Sequence, residues 1–382
     1  MRVRRIPSEA GGPVSFDILD DADQPIPTVT GFMQHLAARD YSPNTLAAYA
    51  HDLQHFLRFL AQQHRDYTEF RPSHALLLLE YLRGLPNRAH VQRLSPVLCS
   101  TVDGQSVTRL SATTVNRILA AVSSFYEYLI LSDQVAGHEN PIQQTNDPAR
   151  ARVAERHRPA LGRASRQQPI RRAVRVRTVQ RVPRPLSEEQ VTAILDALHR
   201  WRDRAMLLLM LQGGLRPGEV LNLHLEDIQY GRRRVVVRYR TDHPKGARTK
   251  SRQERVVDLH EPEALAAVST YVLHERPADT DSTFVFLIGG QGTTRCEPLS
   301  YDALAKLFAR CCQRVGIHES WVTLHALRHT HATRMWEGGM RELALMRRLG
   351  HTSPASTRLY TRVADSVVVA EYRRALGQEG DA

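Results

Sequence analysis

Leu324-His325-Ala326-Leu327-Arg328, then Leu349-Gly350-His351, then Tyr360 within Thr357-Arg358-Leu359-Tyr360-Thr361: on these three short stretches the reading of the 382-residue chain turns. His325 and Arg328 stand three apart, so on a helix they share one face about one turn from each other. His351 falls just past the end of a helix expected over Arg341 to Leu349, and Tyr360 follows nine residues later. Further upstream, Gly214-Leu215-Arg216-Pro217-Gly218-Glu219 sets Arg216 at a helix start, where unpaired backbone N–H groups and the helix dipole favour an anion.

The pattern around these stretches is mainly helical. Ser187-Glu188-Glu189-Gln190 reads as a capping box that opens a domain. An apolar helix over Asp203 to Gln212, a break at Gly213-Gly214 and a short helix from Pro217 to Leu223 follow. Arg232 to Arg240 and Arg252 to Leu259 are Val-rich runs around a turn with Asp242, Pro244 and Gly246, which predicts a β-hairpin. Helices are expected again over Glu261 to His274, Leu299 to Val315, His325 to Glu337, Arg341 to Leu349, Pro354 to Tyr360 and Ala364 to Leu376.

The N-terminal half has its own helical signature. After an irregular start, Phe32 to Ala38 reads as helix, and Ser42 with Pro43 reads as the entry to a longer one. Leu46, Tyr49, Leu53, Phe56, Leu57 and Leu60 recur every three or four residues and give it one apolar stripe. Further helices are expected over Ser73 to Arg83 and from a cap at Ser111, with a loop from Gly84 to Leu110 and an end to the unit at Asn140-Pro141. The division expected is an extension over 1–27, a helical domain over 28–145, a linker over 146–185 and a second domain over 186–382.

Composition narrows the partners. The chain is 42% apolar, enough to bury a substantial core, with a formal charge of +12. Residues 150–184 hold twelve arginines against the single acid Glu155, so the excess is concentrated in one segment. A solvated linker explains that, and so does a tether whose arginines displace counterions from DNA phosphates; Arg171, Arg172, Arg175, Arg177 and Arg181 are the candidates for the second role. The longest apolar run, Ala205 to Leu211, is too short to span a bilayer, and the N-terminus lacks a hydrophobic signal region, so a cytoplasmic, nucleoid-associated bacterial protein without a membrane partner is expected. Cys99, Cys296, Cys311 and Cys312 lack C-x-x-C spacing, and reduced thiols are expected.

A nucleophile, fixed cations around phosphorus and an acid for a departing oxygen are what strand breakage without water or ATP demands. A tyrosine hydroxyl serves as the first. Arginine serves as the second, being permanently charged and presenting a planar fork to phosphate. At these residues the sequence resembles the tyrosine recombinase, or phage integrase, family. The likeness runs from about Leu186 to Tyr360 and, more weakly, over Thr28 to Asn140, which is similar to the family's SAM-like core-binding domain. The family's G-L-R-x-x-E turn corresponds to Arg216 and Glu219, its hairpin lysine to Lys250 ahead of Glu254-Arg255, its H-x-x-R box to His325 and Arg328, its L-G-H box to His351, and its nucleophile to Tyr360.

The resemblance implies a mainly α fold with a small β-hairpin, in which the two domains form a C-shaped clamp on DNA. It implies that Arg216 and Arg328 grip the phosphate with support from His351, that His325 is an acid/base or orienting group, that Lys250 protonates the leaving oxygen, and that Glu219 braces the site. No metal or cofactor is required. Double-stranded recombination sites, a homotetramer and accessory DNA-bending or directionality proteins are the implied partners. The long linker and loop are similar to those of transposon-borne integrases and transposases.

Plainer readings stand beside each residue: Arg216 as a surface arginine, Tyr360 as a packing residue, His325 with His329 as a two-histidine metal face lacking a third ligand, and Lys245 in place of Lys250. For the whole chain, the alternatives are a catalytically silent DNA-binding subunit and a type IB topoisomerase-like enzyme.

Overall fold

The computed structural model describes residues 1–6, 15–86, 101–102, 105–106, 109–135, 139–146, 170–178, 184–249 and 254–351. The chain divides into two compact units, Met1–Val179 and Gln180–Ala382.

The first unit is built on four helices, α1 (Pro27–Ala38), α2 (Pro43–Gln62), α3 (His74–Gly84) and α4 (Ala112–Leu131). Their starts follow local chemistry. The Ser42 hydroxyl accepts the Thr45 N–H at 3.2 Å with Pro43 in the first turn, and the Ser111 hydroxyl accepts the Thr114 N–H at 3.1 Å. The stripe of α2 faces inward: Leu46, Leu53, Phe56, Leu57 and Leu60 are buried against Val115, Ile118, Val122 and Phe125 of α4 in one cluster. Phe70 and Tyr126 stack within it, Phe56 meets both edge-on, and the Tyr126 hydroxyl donates to the Tyr67 carbonyl at 2.6 Å. Each large apolar side chain so buried contributes roughly 1.5–3 kcal/mol.

Three parts of this unit depart from the sequence reading. The irregular start is an antiparallel hairpin, β1 (Arg2–Ile6) with β2 (Ser15–Leu19), whose Ile18 and Leu19 are fully buried. Asn140-Pro141 does not end the unit, because β5 (Gln144–Asn146) pairs with β6 (Ile170–Arg172), beyond which Val174 and Val176 pack on the helical core. Within the expected loop, β3 (Thr101–Val102) pairs with β4 (Gln105–Ser106).

The second unit opens at α5 (Glu188–Asp196), where Ser187 and Gln190 cap each other's backbone N–H groups at 3.2 and 3.1 Å. Its central helix, α6 (Trp201–Gln212), is buried on every side from Ala205 to Leu211, which accounts for its apolar run. Around it lie α7 (Pro217–Leu221), α8 (Pro262–His274), α9 (Tyr301–Arg314), α10 (Leu324–Glu337) and α11 (Glu342–Leu349). The Val-rich runs form part of a three-stranded antiparallel sheet in the order β7 (Ile228–Gln229), β8 (Arg234–Val237), β9 (Arg255–Asp258), with Val235 opposite Val257. Val235, Val237 and Val257 are buried while Val256 is exposed, so one face of the sheet covers the core. Cys296, Cys311 and Cys312 are free thiols. Among the described residues no helix is long and apolar enough to cross a membrane.

Candidate active site

The site grows from two glycine turns. Gly214 ends α6 with φ of +64°, and a Cβ there would lie 2.4 Å from Cδ2 of His331, so both conformation and space demand glycine. Two residues on, Arg216 precedes Pro217 at the start of α7, and Glu219 closes that helix end by accepting the Arg216 N–H at 2.8 Å. The second turn is Gly350, with φ of +62°, which ends α11 and leads to His351.

Helix α11 leaves carbonyl groups without helical partners at its end, where the helix dipole is negative. Three arginines from three other segments take three consecutive carbonyls. Arg255 Nε donates to the Arg348 carbonyl at 2.8 Å, Arg328 Nη2 to Leu349 at 2.6 Å, and Arg216 Nη2 to Gly350 at 3.2 Å. Arg328 also donates to the Gly214 carbonyl, which ties the first turn to the second, and its Nη2 lies 3.0 Å from Nε2 of His351.

Beneath these cations sits one carboxylate. Glu219 is fully buried and receives Arg216 Nη1 at 2.8 Å and both terminal nitrogens of Arg255 at 3.0 and 2.7 Å, with Arg328 Nη1 at 3.9 Å. Burial opposes its ionisation, but hydrogen bonding and charge from Arg255, followed by the charges of Arg216 and Arg328, hold its carboxyl at about 2. Three guanidinium groups thus share one negative charge, and the pocket keeps a positive excess suited to a phosphate. Burial, then Arg328, Arg216 and Arg255, hold His351 at about 4, so its ring is neutral at neutral pH.

The structure therefore brings together Arg216, Glu219, Arg328 and His351. His325 stands exposed in the first turn of α10, one turn before Arg328. Lys250, Tyr360 and Arg181 lie outside the described residues. The backbone at Arg248 lies against α7, where its carbonyl comes so close to Gly218 that a Cβ there would sit 2.4 Å away. Asp227, fully buried, anchors the chain ahead of it through Arg238 at 3.1 Å and Arg240 at 2.5 Å. Lys245 is ion-paired with Glu297 at 2.7 Å. Arg171 falls in β6, Arg172 is half-buried, and Arg175 and Arg177 are exposed. Among the described residues no group of three metal-ligating side chains occurs.

Arg255 is the residue that motif reading used only as a landmark. Its signal is its place in Glu254-Arg255-Val256-Val257, a charged residue at the head of a strand that buries one face through Val257.

Comparison with known proteins settles the kinship. Residues 184–366 match the phage integrase family, and residues 29–132 match the phage integrase N-terminal SAM-like domain. The chain belongs to the phage integrase family, the tyrosine recombinases. Transposase A from transposon Tn554 of Staphylococcus aureus is 28% identical over 98% of this chain and 98% of its own length. The tyrosine recombinase XerC of Pelobacter propionicus is 27% identical over 91% of this chain and 94% of its own. Among solved structures, the Tn1549 transposon integrase in complex with a circular intermediate DNA shares the recombinase fold with a TM-score of 0.59 at 17% identity, covering 91% of this chain and 99% of that one. The two matched regions fall in separate structural units, so this recombinase carries its SAM-like domain in the first and the arginine-lined pocket in the second.

Proposed function

We propose that this recombinase moves a mobile element by site-specific DNA breakage and rejoining, through a covalent bond between Tyr360 and a 3′ phosphate. One observation carries the reading: Arg216, Arg328 and His351 meet at the end of α11 nine residues before Tyr360, in a chain that aligns along 98% of its length with a transposon's transposase.

The arginine forks take the nonbridging oxygens of the scissile phosphate and oppose the charge that grows at pentacoordinate phosphorus. The Tyr360 phenol oxygen attacks phosphorus, the bond to the 5′ oxygen breaks, and Lys250 gives that oxygen a proton. The phenolic proton passes toward His325. The phosphotyrosine retains the energy of the phosphodiester, so attack by the 5′ hydroxyl of a partner strand restores the backbone and releases the phenol without fuel. The neutral ring of His351, already in contact with Arg328, donates to the phosphate once protonated. Glu219 fixes Arg216 from beneath.

Four strands are cut and joined when two duplexes recombine, so a tetramer with one tyrosine per strand matches the stoichiometry. The partners are double-stranded recombination sites at the ends of the element, with accessory DNA-bending or directionality proteins as further candidates, in the cytoplasm at the nucleoid. Tyr360→Phe tests the chemistry on a nicked suicide duplex. The variant is expected to bind DNA like the wild type and to form no covalent adduct; an adduct that persists in it removes Tyr360 from the role.

A further inference from the structure

Behind the pocket lies a second layer that none of these roles uses. His331, on α10, is buried at 1% exposure, and its two nitrogens are both engaged: Nδ1 lies 2.9 Å from the Leu211 carbonyl, and Nε2 lies 3.0 Å from Nε of Arg348. Because the arginine can only donate, Nε2 accepts and Nδ1 carries the proton that goes to Leu211. The ring is therefore neutral and of one tautomer. Burial first, then Arg348, holds it at about 3, which agrees with that assignment.

Arg348 extends the connection. Its Nη2 donates to the Gln212 carbonyl at 3.1 Å and to the Asp258 carbonyl at 3.1 Å. Gln212 is the last residue of α6, directly before the Gly213-Gly214 turn that delivers Arg216, and Asp258 is the last residue of β9, the strand headed by Arg255. Arg348 itself stands three residues before His351, and its own carbonyl is the one Arg255 holds. The imidazole of His331 also supports Gly214 from behind, in the space where a side chain at that position would have been.

We propose that His331 and Arg348 are positioning residues for strand cleavage, a buried pair that fixes the two glycine turns relative to each other so that Arg216 and His351 face one phosphate. This deepens the recombinase reading and rests on it. The pair contacts neither DNA nor the reacting atoms in this scheme. It acts through the backbone of residues 211–214 and the placement of α11. A displacement of about an ångström in either turn is enough to cost roughly a hundredfold in rate.

The test is single-turnover formation of the covalent complex on a nicked duplex at saturating protein, with DNA affinity and melting temperature measured alongside. His331→Phe keeps the ring and removes both hydrogen bonds. His331→Gln keeps one donor and one acceptor. Arg348→Met keeps the aliphatic stem and removes the donors. The phenylalanine and methionine variants are expected to cleave roughly ten- to a hundredfold more slowly with dissociation constants within about threefold of wild type, and the glutamine variant to recover most of the rate. Wild-type cleavage rates in His331→Phe, or in Arg348→Met where the former fails to fold, overturn the assignment. So does a glutamine variant as slow as the phenylalanine one. Wild-type protein that forms no adduct at all strikes the recombinase chemistry itself, which separates the two failures.

Discussion

Arg255 meets Glu219 fork to fork, Nη1 to Oε1 at 3.0 Å and Nη2 to Oε2 at 2.7 Å, with both side chains buried. The pairing joins β9 to α7, and the Nε of the same arginine reaches α11. A carboxylate held at both oxygens cannot rotate, so the Arg216 side chain that rests on Oε1 inherits a fixed direction. The same guanidinium fills the space beside Gly350, where a Cβ would lie 2.8 Å from Nη1.

Replacing that fork by a point charge separates geometry from charge. Arg255→Lys retains the cation but can neither span both oxygens nor reach the Arg348 carbonyl at the same time. Its expected effect is a loss of about 1–3 kcal/mol in unfolding free energy, the range for leaving a buried acceptor short of its donor, with a fall of at least tenfold in covalent-complex formation. Chemical denaturation and single-turnover cleavage measure the two. Stability within about 0.5 kcal/mol of wild type contradicts the bracing role.

How much of this was legible in the sequence depends on whether a residue announces its partner locally. Ser42 with Pro43, and Ser187 with Gln190, are complete within four residues, and the helices start there. Arg216, Glu219, Arg328 and His351 stand in short motifs, and the structure gathers them. Arg255, His331 and Arg348 act through backbone carbonyls distant in sequence, such as His331 on Leu211, and a carbonyl has no sequence signature. The strand Arg2–Ile6 has no clear sequence signature because it turns mainly Val3 toward the core and carries three arginines, too little alternation to mark a strand. The run from Ile170 to Thr178 joins the helical unit through its pairing with Gln144–Asn146 and contacts to α4, a relation between segments more than twenty residues apart.

His351 offers a titration. Its ring is held at about 4 by burial and by Arg328, Arg216 and Arg255, against the opposing pull of Glu219. For a base depressed in the folded state, the neutral form persists through neutral pH, and stability is lost as pH falls from the unfolded value near 6.5 toward 4. A phosphate seated among the arginines adds negative charge and raises the value. Histidine side-chain NMR should show a midpoint well below 6.5 in the free protein and an upward move on a non-cleavable DNA site. A free-protein midpoint at 6.5 or above counts against the neutral ring.

Asp52 makes the first unit pH-sensitive in the opposite sense. Its side chain is 1% exposed, Arg117 reaches Oδ1 at 3.0 Å, and Oδ2 has no hydrogen-bond partner among the described residues. Burial outweighs Arg117 and raises its carboxyl to about 7. The folded state then binds this proton more tightly than the unfolded chain, so stability is greatest below about pH 4, declines as pH rises toward 7, and is flat above. Asp52→Asn removes the penalty of a buried charge while giving up a pair whose arginine is half-exposed. It should melt above wild type at pH 8, by about 1–3 kcal/mol, with the advantage gone at pH 4. An advantage of equal size at both pH values contradicts the titration.

The stretch after β6 carries the last expectation. Val174 and Val176 turn inward while Arg175 and Arg177 turn out, an alternation of period two. Asn116 of α4 holds it in place, donating to the Val176 carbonyl and accepting its N–H, each at 2.9 Å. Two exposed arginines on a backbone anchored in this way meet a phosphate backbone with less conformational entropy to lose than they would on a free tether. Each phosphate contact contributes roughly 0.9 to the slope of log affinity against log salt. Arg175→Gln with Arg177→Gln should therefore lower the slope by up to about 2 and weaken specific and non-specific DNA to a similar degree. An unchanged slope would return these arginines to a solvent-facing role, and a loss confined to one sequence would mean that they read bases and not phosphates.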